Sequence, residues 1–573
     1  MLNIEVNGKQ IQAKKGGTIL TVLRENGISV PTLCHMEELF PSGACRMCVV
    51  EVEGEHNLVP SCALEIREGM KIKTHSPRVL KARKTIIELL LVNHPDDCLY
   101  CERNGTCELQ DLSEELGIRE RRYSGVKTDY EIDNSSVSIV KDSSKCILCG
   151  RCVRMCEEIQ GVSAIDFVSR GSDSMVAPAF KQGLNLSSCI NCGQCVRICP
   201  TGALSERNNI KEVINALMDP EKIVVVQHAP SVSVTIGEYF NFKEGTDVCG
   251  MLTAALRKIG FKRVFDTAFS ADLTIMEEAS ELVERIKNGG KLPMMTSCSP
   301  SWVKFVEQFY PEFIENLSSC KSPQQMLGSV IKNYYAQKEG IDPSKIYSVS
   351  IMPCTAKKFE ADRKEMMSGD YPDIDIAITT RELAKILKMF NVDFESLEAE
   401  VADNPFGERS SAGKLFGATG GVMEAAIRTA YFLITGKEMK EPELKEIRSL
   451  EGIKEASYKI GSLHLNVAVV SGLGNARKML EEIKAGRKNI HFMEVMSCPG
   501  GCIAGGGQPY GLDMKKIEAR MKSLYKIDKD SKIRTSHNNE LIKSIYKDFL
   551  EKPLSHKSHK LLHTKYMKRK TNY

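Results

Sequence analysis

The chain has 573 residues, which at roughly 100–200 residues per domain predicts three to five domains. Hydrophobic residues at 42% and charged residues at 27% are ordinary for packed globular proteins, and they exclude a disordered or collagen-like chain. The formal net charge is +4, but six basic residues and no acidic ones fall in the last 17 positions. The remainder of the chain therefore has a net charge of −2, which argues against nucleic-acid binding.

The N-terminus and the cysteine content indicate the compartment and the chemistry. MLNIEVNGKQ lacks the features of a secretory signal, and no run approaches about 18 apolar residues. We therefore expect a cytoplasmic protein with no membrane or nucleic-acid partner. Twenty-one cysteines are too many for inert core thiols in a reducing cytosol, so they favour metal binding.

Residues 1–76 are predicted to form a β-hairpin followed by a helix. An alternating run at 2–6, a turn at Asn7-Gly8 and a strand near Ile11 precede a helix capped by Thr18. Four thiolates suit a [2Fe–2S] cluster or zinc. The candidate ligands are Cys34, Cys45, Cys48 and Cys62. Their spacing resembles the β-grasp [2Fe–2S] ferredoxin domain of complex I and hydrogenase subunits, and zinc is the alternative.

Residues 77–125 are predicted to be a small helical domain that holds a second cluster. His94 stands four positions before a C-x2-C-x5-C run formed by Cys98, Cys101 and Cys107. A lone histidine is more often a capping or core residue. Here the spacing resembles the His-ligated [4Fe–4S] module that follows such ferredoxin domains, and a neutral imidazole ligand should raise the cluster potential.

Residues 138–209, after a polar linker at 119–142, contain a duplicated C-x2-C-x2-C-x3-C motif of the two-cluster ferredoxins. In that motif the fourth cysteine of each run ligates the other cluster. One predicted [4Fe–4S] site is therefore Cys146, Cys149, Cys152 and Cys199, and the other is Cys189, Cys192, Cys195 and Cys156. With one [2Fe–2S] and three [4Fe–4S] accessory clusters, the first 209 residues are predicted to conduct electrons from cluster to cluster.

Residues 210–573 are predicted to be a large α/β domain, so the whole chain is multidomain α+β and α/β. Buried-strand runs at 223–226 and 465–470 alternate with helical periodicity at 252–259, 275–287 and 379–390. Gly472-Leu-Gly474 begins like a dinucleotide fingerprint, but Arg477 replaces its third glycine. Nucleotide binding there is therefore only a minor alternative.

Three cysteine-bearing segments of this domain predict a buried metal site. Cys298 lies in TSCSPSW, Cys354 in MPCTAKKFE, and Cys498 and Cys502 in EVMSCPGGCIAGGGQP. Cysteines on Gly/Pro loops can converge on one cluster, and the glycines at 505–507 are expected to let the backbone approach a bulky inorganic group.

These segments resemble the three signature stretches of the [FeFe] hydrogenases, and the order of the cluster domains resembles the long, monomeric clostridial type. The resemblance implies an H-cluster, in which a [4Fe–4S] cubane is joined to a two-iron unit that carries CO, cyanide and azadithiolate. It implies Cys354, Cys498 and Cys502 as ligands, Cys502 as the bridge, and Lys357 as a donor to a cyanide. The residues implied to pack around the two-iron unit are Ser231, Gln324, Met352, Phe416 and Met496.

The same resemblance implies a proton route of titratable groups. The matching carriers, from metal to surface, are predicted in the order Cys298, Glu281, Ser318 and Glu278, with Arg285 nearby. The alternative for the two glutamates is a solvated helix face.

One departure from the family pattern concerns the fourth cubane ligand. The family has two adjacent cysteines in the first signature, the first a proton carrier and the second a ligand, but here the second is Ser299. Either Ser299 binds iron through oxygen, or Cys298 is recruited as ligand, or the cubane is incomplete. Cys320 is a second departure, because the clostridial pattern has alanine there. It is either a buried hydrophobe or a substitute proton carrier beside Ser318.

The predicted function is reversible reduction of protons to hydrogen, with electrons exchanged with ferredoxin or a similar small carrier by a monomeric enzyme. A hydrogen-sensing or catalytically weak relative is one alternative, which only Ser299 supports. A non-catalytic iron–sulfur electron-transfer subunit is another, but it leaves Lys357 and the Cys498/Cys502 loop unexplained.

Overall fold

The computed structural model of the protein describes residues 1–127, 129–407 and 409–570, so the predicted end of the catalytic region at 571–573 lies outside the described residues. The N-terminal elements are β1 (Leu2–Val6), β2 (Lys9–Ala13), α1 (Ile19–Glu25), β3 (Val49–Val52), β4 (Val59–Pro60) and β5 (Lys71–Lys73). They form a five-stranded sheet of order β2-β1-β5-β3-β4, in which β1 runs antiparallel to β2 and parallel to β5. The Thr18 hydroxyl accepts from the Thr21 N–H at the start of α1, as predicted.

Two helices follow, α2 (Pro77–Asn93) and α3 (Glu108–Glu115). The Ser76 hydroxyl accepts from the Val79 N–H, and Pro77 occupies the first turn of α2, where its missing N–H costs nothing. The helix ends at His94 because the residue before a proline is restricted to extended backbone. Pro95 therefore ends the helix at the point where His94 can face the cysteine loop that follows in the chain.

The duplicated cysteine motif has a duplicated backbone. Its elements are β6 (Ile139–Lys141), α4 (Arg151–Arg154), β7 (Asp166–Val168), β8 (Met175–Ala177), α5 (Gln194–Ile198) and β9 (Leu204–Glu206). Strands β6 and β9 pair, as do β7 and β8. Gly150 and Gly193 occupy matching left-handed positions, with φ of 70° and 68°, directly before α4 and α5. Each short helix therefore begins just after a cysteine loop.

The large region begins with α6 and a parallel sheet. Its elements to residue 352 are α6 (Ile210–Met218), β10 (Ile223–His228), α7 (Pro230–Ser233), α8 (Cys249–Lys258), β11 (Arg263–Asp266), α9 (Thr267–Asn288), β12 (Met294–Met295), α10 (Pro300–Phe309), α11 (Pro323–Val330), α12 (Ala336–Glu339) and β13 (Ile346–Met352). Those that follow are α13 (Ala356–Ala361), β14 (Met367–Ser368), β15 (Tyr371–Pro372), β16 (Ile376–Thr379), α14 (Thr380–Met389), α15 (Ser411–Leu415), α16 (Gly421–Thr435), β17 (Ile453–Ile460), β18 (Leu463–Ser471), α17 (Leu473–Lys484), β19 (Phe492–Met496), α18 (Met514–Asp530), α19 (Glu540–Ile545) and α20 (His556–Leu562).

Two four-stranded sheets organise this α/β region, as the buried-strand runs predicted. One has the order β11-β10-β13-β16 and is wholly parallel, and the other has the order β12-β19-β18-β17. Strands β12, β19 and β18 are mutually parallel, so their carboxyl ends share one edge. Ligand sites in α/β proteins lie at such edges. Among the described residues, no helix combines the length and the apolar character that a membrane crossing requires.

Candidate metal centres and active site

The four N-terminal cysteines converge in the β-grasp domain. The Cys34 thiol lies within hydrogen-bonding reach of Cys45 and Cys62, and Cys48 lies within reach of Cys62. Four thiols that meet at one point fit the predicted [2Fe–2S] cluster.

His94 meets three cysteines at one cavity, and its ring is arranged as a ligand. The cavity is lined by His94, Cys98, Cys101 and Cys107. His94 Nδ1 lies 3.1 Å from the Pro95 carbonyl oxygen, while Nε2 is buried and has no partner among the described residues. Burial lowers the pKa of His94. A neutral imidazole with Nδ1–H donated to a carbonyl leaves the Nε2 lone pair for iron.

The ferredoxin cysteines fall into two groups that cross the repeats. One cavity is lined by Cys146, Cys149, Cys152 and Cys199, and the other by Cys156, Cys189, Cys192 and Cys195. Backbone N–H groups point at the sulfurs, since Leu148 N lies 3.4 Å from Cys146 Sγ and Ala164 N lies 3.3 Å from Cys156 Sγ. Such donors stabilise thiolate clusters, so both cavities fit the predicted [4Fe–4S] sites.

The carboxyl ends of strands from both sheets enclose the candidate active-site cavity. It lies beyond β10, β12, β13 and β19. Every residue predicted to pack around the two-iron unit lines it, namely Ser231, Gln324, Met352, Phe416 and Met496. Cys298, Cys354, Lys357 and Cys502 line it as well. Cys498 is buried next to Cys354 and Cys502. Burial is the main reason that its pKa is raised, and the charges of Cys354 and Cys502 raise it further.

The first signature segment separates its two side chains. Cys298 faces the cavity, whereas Ser299 stands at the start of α10 with its Oγ 2.9 Å from Ser497 Oγ. Ser497 directly precedes Cys498. Ser299 therefore lies next to the segment that carries Cys498, whereas Cys298 shares its cavity with Met352 and Phe416 as well as with Cys354 and Cys502.

A buried ion pair fixes Lys357. Its Nζ lies 2.8 Å from Glu360 Oε2 and donates to the Cys298 carbonyl oxygen at 3.1 Å. The same Glu360 oxygen accepts from Ser322 at 2.8 Å and from Gln324 at 3.1 Å. These bonds hold a single ammonium group at the cavity wall, where it can donate to an anionic ligand.

The predicted proton-route residues lie near one another, with Ser318 in contact with both glutamates, but the predicted order of the two glutamates is wrong. Burial is the main reason that the pKa of the Cys298 thiol is raised, and the charge of Glu278 is the next largest cause. Glu278, rather than Glu281, is therefore the glutamate near Cys298. The Ser318 hydroxyl contacts both carboxyl groups and donates to Glu281 at 2.8 Å. Glu281 is 9% exposed and pairs with Arg285 at 2.6 Å, whereas Glu278 is 1% exposed. The order from the cavity outward is therefore Cys298, Glu278, Ser318, Glu281, Arg285.

The direction of α9 explains this correction. Thr267 and Ala271, near the start of the helix, line the cavity, so residues further along α9 lie further from it. The three-residue spacing put both glutamates on one face but did not tell which end of α9 meets the cavity.

The glycines near Cys502 also let neighbouring backbone segments approach closely. A Cβ on Gly505 would lie 2.2 Å from the Pro353 carbonyl oxygen, and one on Gly506 would lie 2.2 Å from that of Cys192. The absence of a side chain at these glycines therefore lets the backbone pack closely against the loop that follows β13 and against the ferredoxin module. Gly474 likewise abuts that module, because a Cβ there would lie 3.1 Å from the Glu158 carbonyl oxygen.

Sequence reasoning missed three side chains at these sites. Gln194 Nε2 donates to Cys498 Sγ at 3.0 Å, Glu360 anchors Lys357, and His563 lies beside Glu281. The i,i+3 spacing of Lys357 and Glu360 on α13 was a usable signal for that pair. Gln194 and His563 carried no signal, since their partners are distant in the sequence.

Protein families of iron–sulfur domains and iron hydrogenases match segments of the chain from residue 1 to residue 569. Residues 222–506 match the iron only hydrogenase large subunit, C-terminal domain, and 514–569 match the iron hydrogenase small subunit. Residues 1–77 match a 2Fe-2S iron-sulfur cluster binding domain, 83–122 the NADH-ubiquinone oxidoreductase-G iron-sulfur binding region, and 136–205 the ferredoxin-like domain of NADH-quinone oxidoreductase subunit 3. The chain belongs to the iron-only, or [FeFe], hydrogenases, which are oxidoreductases acting on H2.

The similar proteins include two that match over the full length. The NADP-reducing hydrogenase subunit HndD of Solidesulfovibrio fructosivorans is 48% identical over 99% of both chains. Iron hydrogenase 1 of Clostridium pasteurianum is 43% identical over 99% of this chain and 100% of its own. The solved [FeFe]-hydrogenase HydA1 of Chlamydomonas reinhardtii is 41% identical, with a TM-score of 0.58, over 63% of this chain and 99% of its own. The predicted fold class, the hydrogenase activity and the cofactor classes are confirmed.

Proposed function

We propose that this hydrogenase reduces protons reversibly with electrons from a ferredoxin or similar small carrier, as a cytoplasmic monomer. The observation that carries the proposal is the shared cavity of Cys298, Cys354, Lys357 and Cys502, with Cys498 directly behind it. Gln194, between Cys192 and Cys195, donates to Cys498 Sγ at 3.0 Å, so one accessory cysteine group lies beside the active-site region, as an electron relay requires. The H-cluster, when bound, supplies the iron centre at which electrons and protons combine to give H2.

The proposed cubane ligands are Cys354, Cys498 and Cys502, with Ser299 at the fourth position. Two observations favour Ser299 over a recruited Cys298. The Ser299 hydroxyl lies 2.9 Å from that of Ser497, directly before Cys498, and the Cys298 side chain lines the cavity together with Met352, Phe416 and Met496, which are proposed to surround the two-iron unit. Cys298 is thereby left free to carry protons.

The proposed proton carriers are suited to neutral pH. Burial and the neighbouring Glu281 raise the pKa of Glu278 to about 8, so this carboxyl holds a proton that it can release and regain near neutrality. Burial also raises the pKa of Cys298, which keeps its proton as a thiol at the cavity wall. Glu281 and Arg285 complete the route toward solvent through Ser318.

The experiment that tests the electron partner uses the purified, matured chain alone. Reduced ferredoxin should support H2 evolution without any other subunit. One similar protein is named as a subunit of an NADP-reducing hydrogenase, so the same assay is run with NADPH. Activity that requires NADPH and added subunits would contradict the proposed partner and the monomeric state.

A further inference from the structure

A cysteine, a histidine and a carboxylate meet beside the outer part of the proton route. One ligand atom each from Glu281, Cys320 and His563 lie within 4.8 Å of one another, and all three residues are buried. Cys320 Sγ is 3.9 Å from Glu281 Oε2, the same oxygen that accepts from Ser318. None of these contacts involves the cavity of the H-cluster.

The positions of Cys320 and His563 are fixed because two segments distant in the sequence pair with each other. Cys320 and His563 form an antiparallel bridge between the loop before α11 and the chain after α20. Lys321 N donates to the Leu562 carbonyl oxygen at 2.7 Å, and Thr564 N donates to that of Ser319 at 2.8 Å. Directly paired residues of such a bridge have adjacent side chains, so the thiol and the imidazole are held together next to α9.

His563 has the surroundings of a metal ligand. One ring nitrogen, Nε2, lies 3.1 Å from Glu277 Oε2, and the other, Nδ1, lies 2.8 Å from Ser319 Oγ. A carboxylate on one nitrogen fixes the tautomer and makes the other a better ligand, as in carboxylate–histidine–zinc arrangements. Exposed His559 packs against this ring, with centroids 4.2 Å apart and the ring planes tilted by 39°, and so connects the cluster to the surface.

The charges favour a cation here and disfavour one at a similar cluster elsewhere. His228, Cys249 and Asp266 also meet, but Asp266 already pairs with Arg409 at 2.8 Å and Lys414 at 3.0 Å. Those two cations would repel a metal ion. At Glu281, Arg285 is the one cation among the described residues that pairs with the carboxylate, and it contacts Oε1 and leaves Oε2 facing the thiol.

We propose that Glu281, Cys320 and His563 bind a thiophilic divalent cation of the zinc class, and that the bound cation blocks proton transfer. Thiolate, imidazole and carboxylate are the ligands zinc prefers, and three of them leave a fourth position for water. Binding releases the Cys320 proton to solvent and occupies the Glu281 oxygen that Ser318 uses. The inhibitory part rests on the proton route proposed above, whereas the binding part does not.

The experiment adds Zn2+ to the matured enzyme under anaerobic conditions, and H2 evolution is expressed relative to each variant's own rate without metal. Wild type should be inhibited, and a chelator should restore the rate with no loss of iron. Cys320→Ala should raise the inhibition constant about 100-fold, and Glu277→Gln should raise it about 10-fold through the weakened histidine. Cys249→Ala is the matched control and should be inhibited like wild type.

X-ray absorption at the zinc edge provides a readout that does not depend on activity. Bound zinc should have one sulfur ligand at about 2.3 Å, which disappears in Cys320→Ala. Equal inhibition of Cys320→Ala and wild type, or a zinc spectrum without sulfur, would overturn the site. A zinc–sulfur ligand that depends on Cys320, without inhibition, would instead overturn the place of Glu281 in the proton route.

Discussion

The side-chain amide of Gln194 donates a hydrogen bond to Cys498 Sγ across 3.0 Å, joining the ferredoxin module to the active-site region. The same amide donates to the Ala504 carbonyl oxygen at 2.9 Å, in the loop that carries Cys502. Gln194 lies between Cys192 and Cys195, so one side chain sits next to two metal centres. This contact directly links the electron relay to one of the proposed cubane cysteines.

Gln194→Leu removes this hydrogen bond and keeps the approximate volume. Because hydrogen bonds to cluster sulfurs raise reduction potentials, the cubane potential should fall on the order of 50 mV, equivalent to about 1.2 kcal/mol for one electron. Spectroelectrochemical titration of the matured enzyme measures it. Gln160→Leu is the control, since Gln160 donates to the Ser497 carbonyl oxygen and not to sulfur. Equal potentials in wild type and Gln194→Leu would show that the bond does not tune the cluster.

His94→Cys should retain a cluster and lower its potential, because an anionic thiolate replaces a neutral imidazole. Electron exchange with ferredoxin should then slow. Redox titration followed by electron paramagnetic resonance measures the accessory clusters. His94→Ala, which removes the ligand atom, should lose that cluster's signal. If all four accessory potentials are unchanged in His94→Cys, then His94 is not a ligand.

Glu278→Gln and Glu281→Gln keep the side-chain size and remove the titratable group. Each should lower H2 evolution by orders of magnitude, because both carboxyl groups contact Ser318 and both belong to the proposed proton route. Infrared spectra of the active site should remain close to native. Glu284→Gln, at an exposed position of the same helix, is the control and should keep full activity. Full activity in Glu278→Gln would mean that protons enter elsewhere.

Ser299→Cys tests the unusual ligand. A thiolate is softer than an alkoxide and stabilises the oxidised iron less, so the substitution should raise the cubane potential without changing the iron content. Cys298→Ala should keep the iron and lose activity. A cubane lost in Cys298→Ala would show instead that Cys298 is the ligand and would remove it from the proton route.

The metal centres were predictable because cysteine spacing is a local property of the chain. The crossed pairing of Cys156 and Cys199 between the two repeats followed from the motif, and the structure brings the cysteines together in those groups. The N-terminal hairpin and the helix capped by Thr18 followed from alternation and capping. Domain limits at 76, 125 and 209 remain predictions.

Relations between distant segments were not predictable in the same way. Gln194 and Cys498 are 304 positions apart, and a glutamine within a cysteine run has no pattern that names its partner. The order of Glu278 and Glu281 depended on which end of α9 meets the cavity, and helical periodicity carries no such information. The sequence indicated that another group comes close to the backbone at the glycines 505–507. It did not indicate that the neighbouring groups are the backbone of Pro353 and of Cys192.

Infrared spectroscopy of the matured protein tests the central claim most directly, because metal-bound CO and cyanide absorb where protein groups do not. The account predicts such bands in the wild-type chain and their loss in Cys502→Ala, whose side chain lines the cavity. Cys249→Ala, outside the cavity, should keep them. A wild-type spectrum without CO and cyanide bands after maturation would contradict the assignment of this cavity as the H-cluster site.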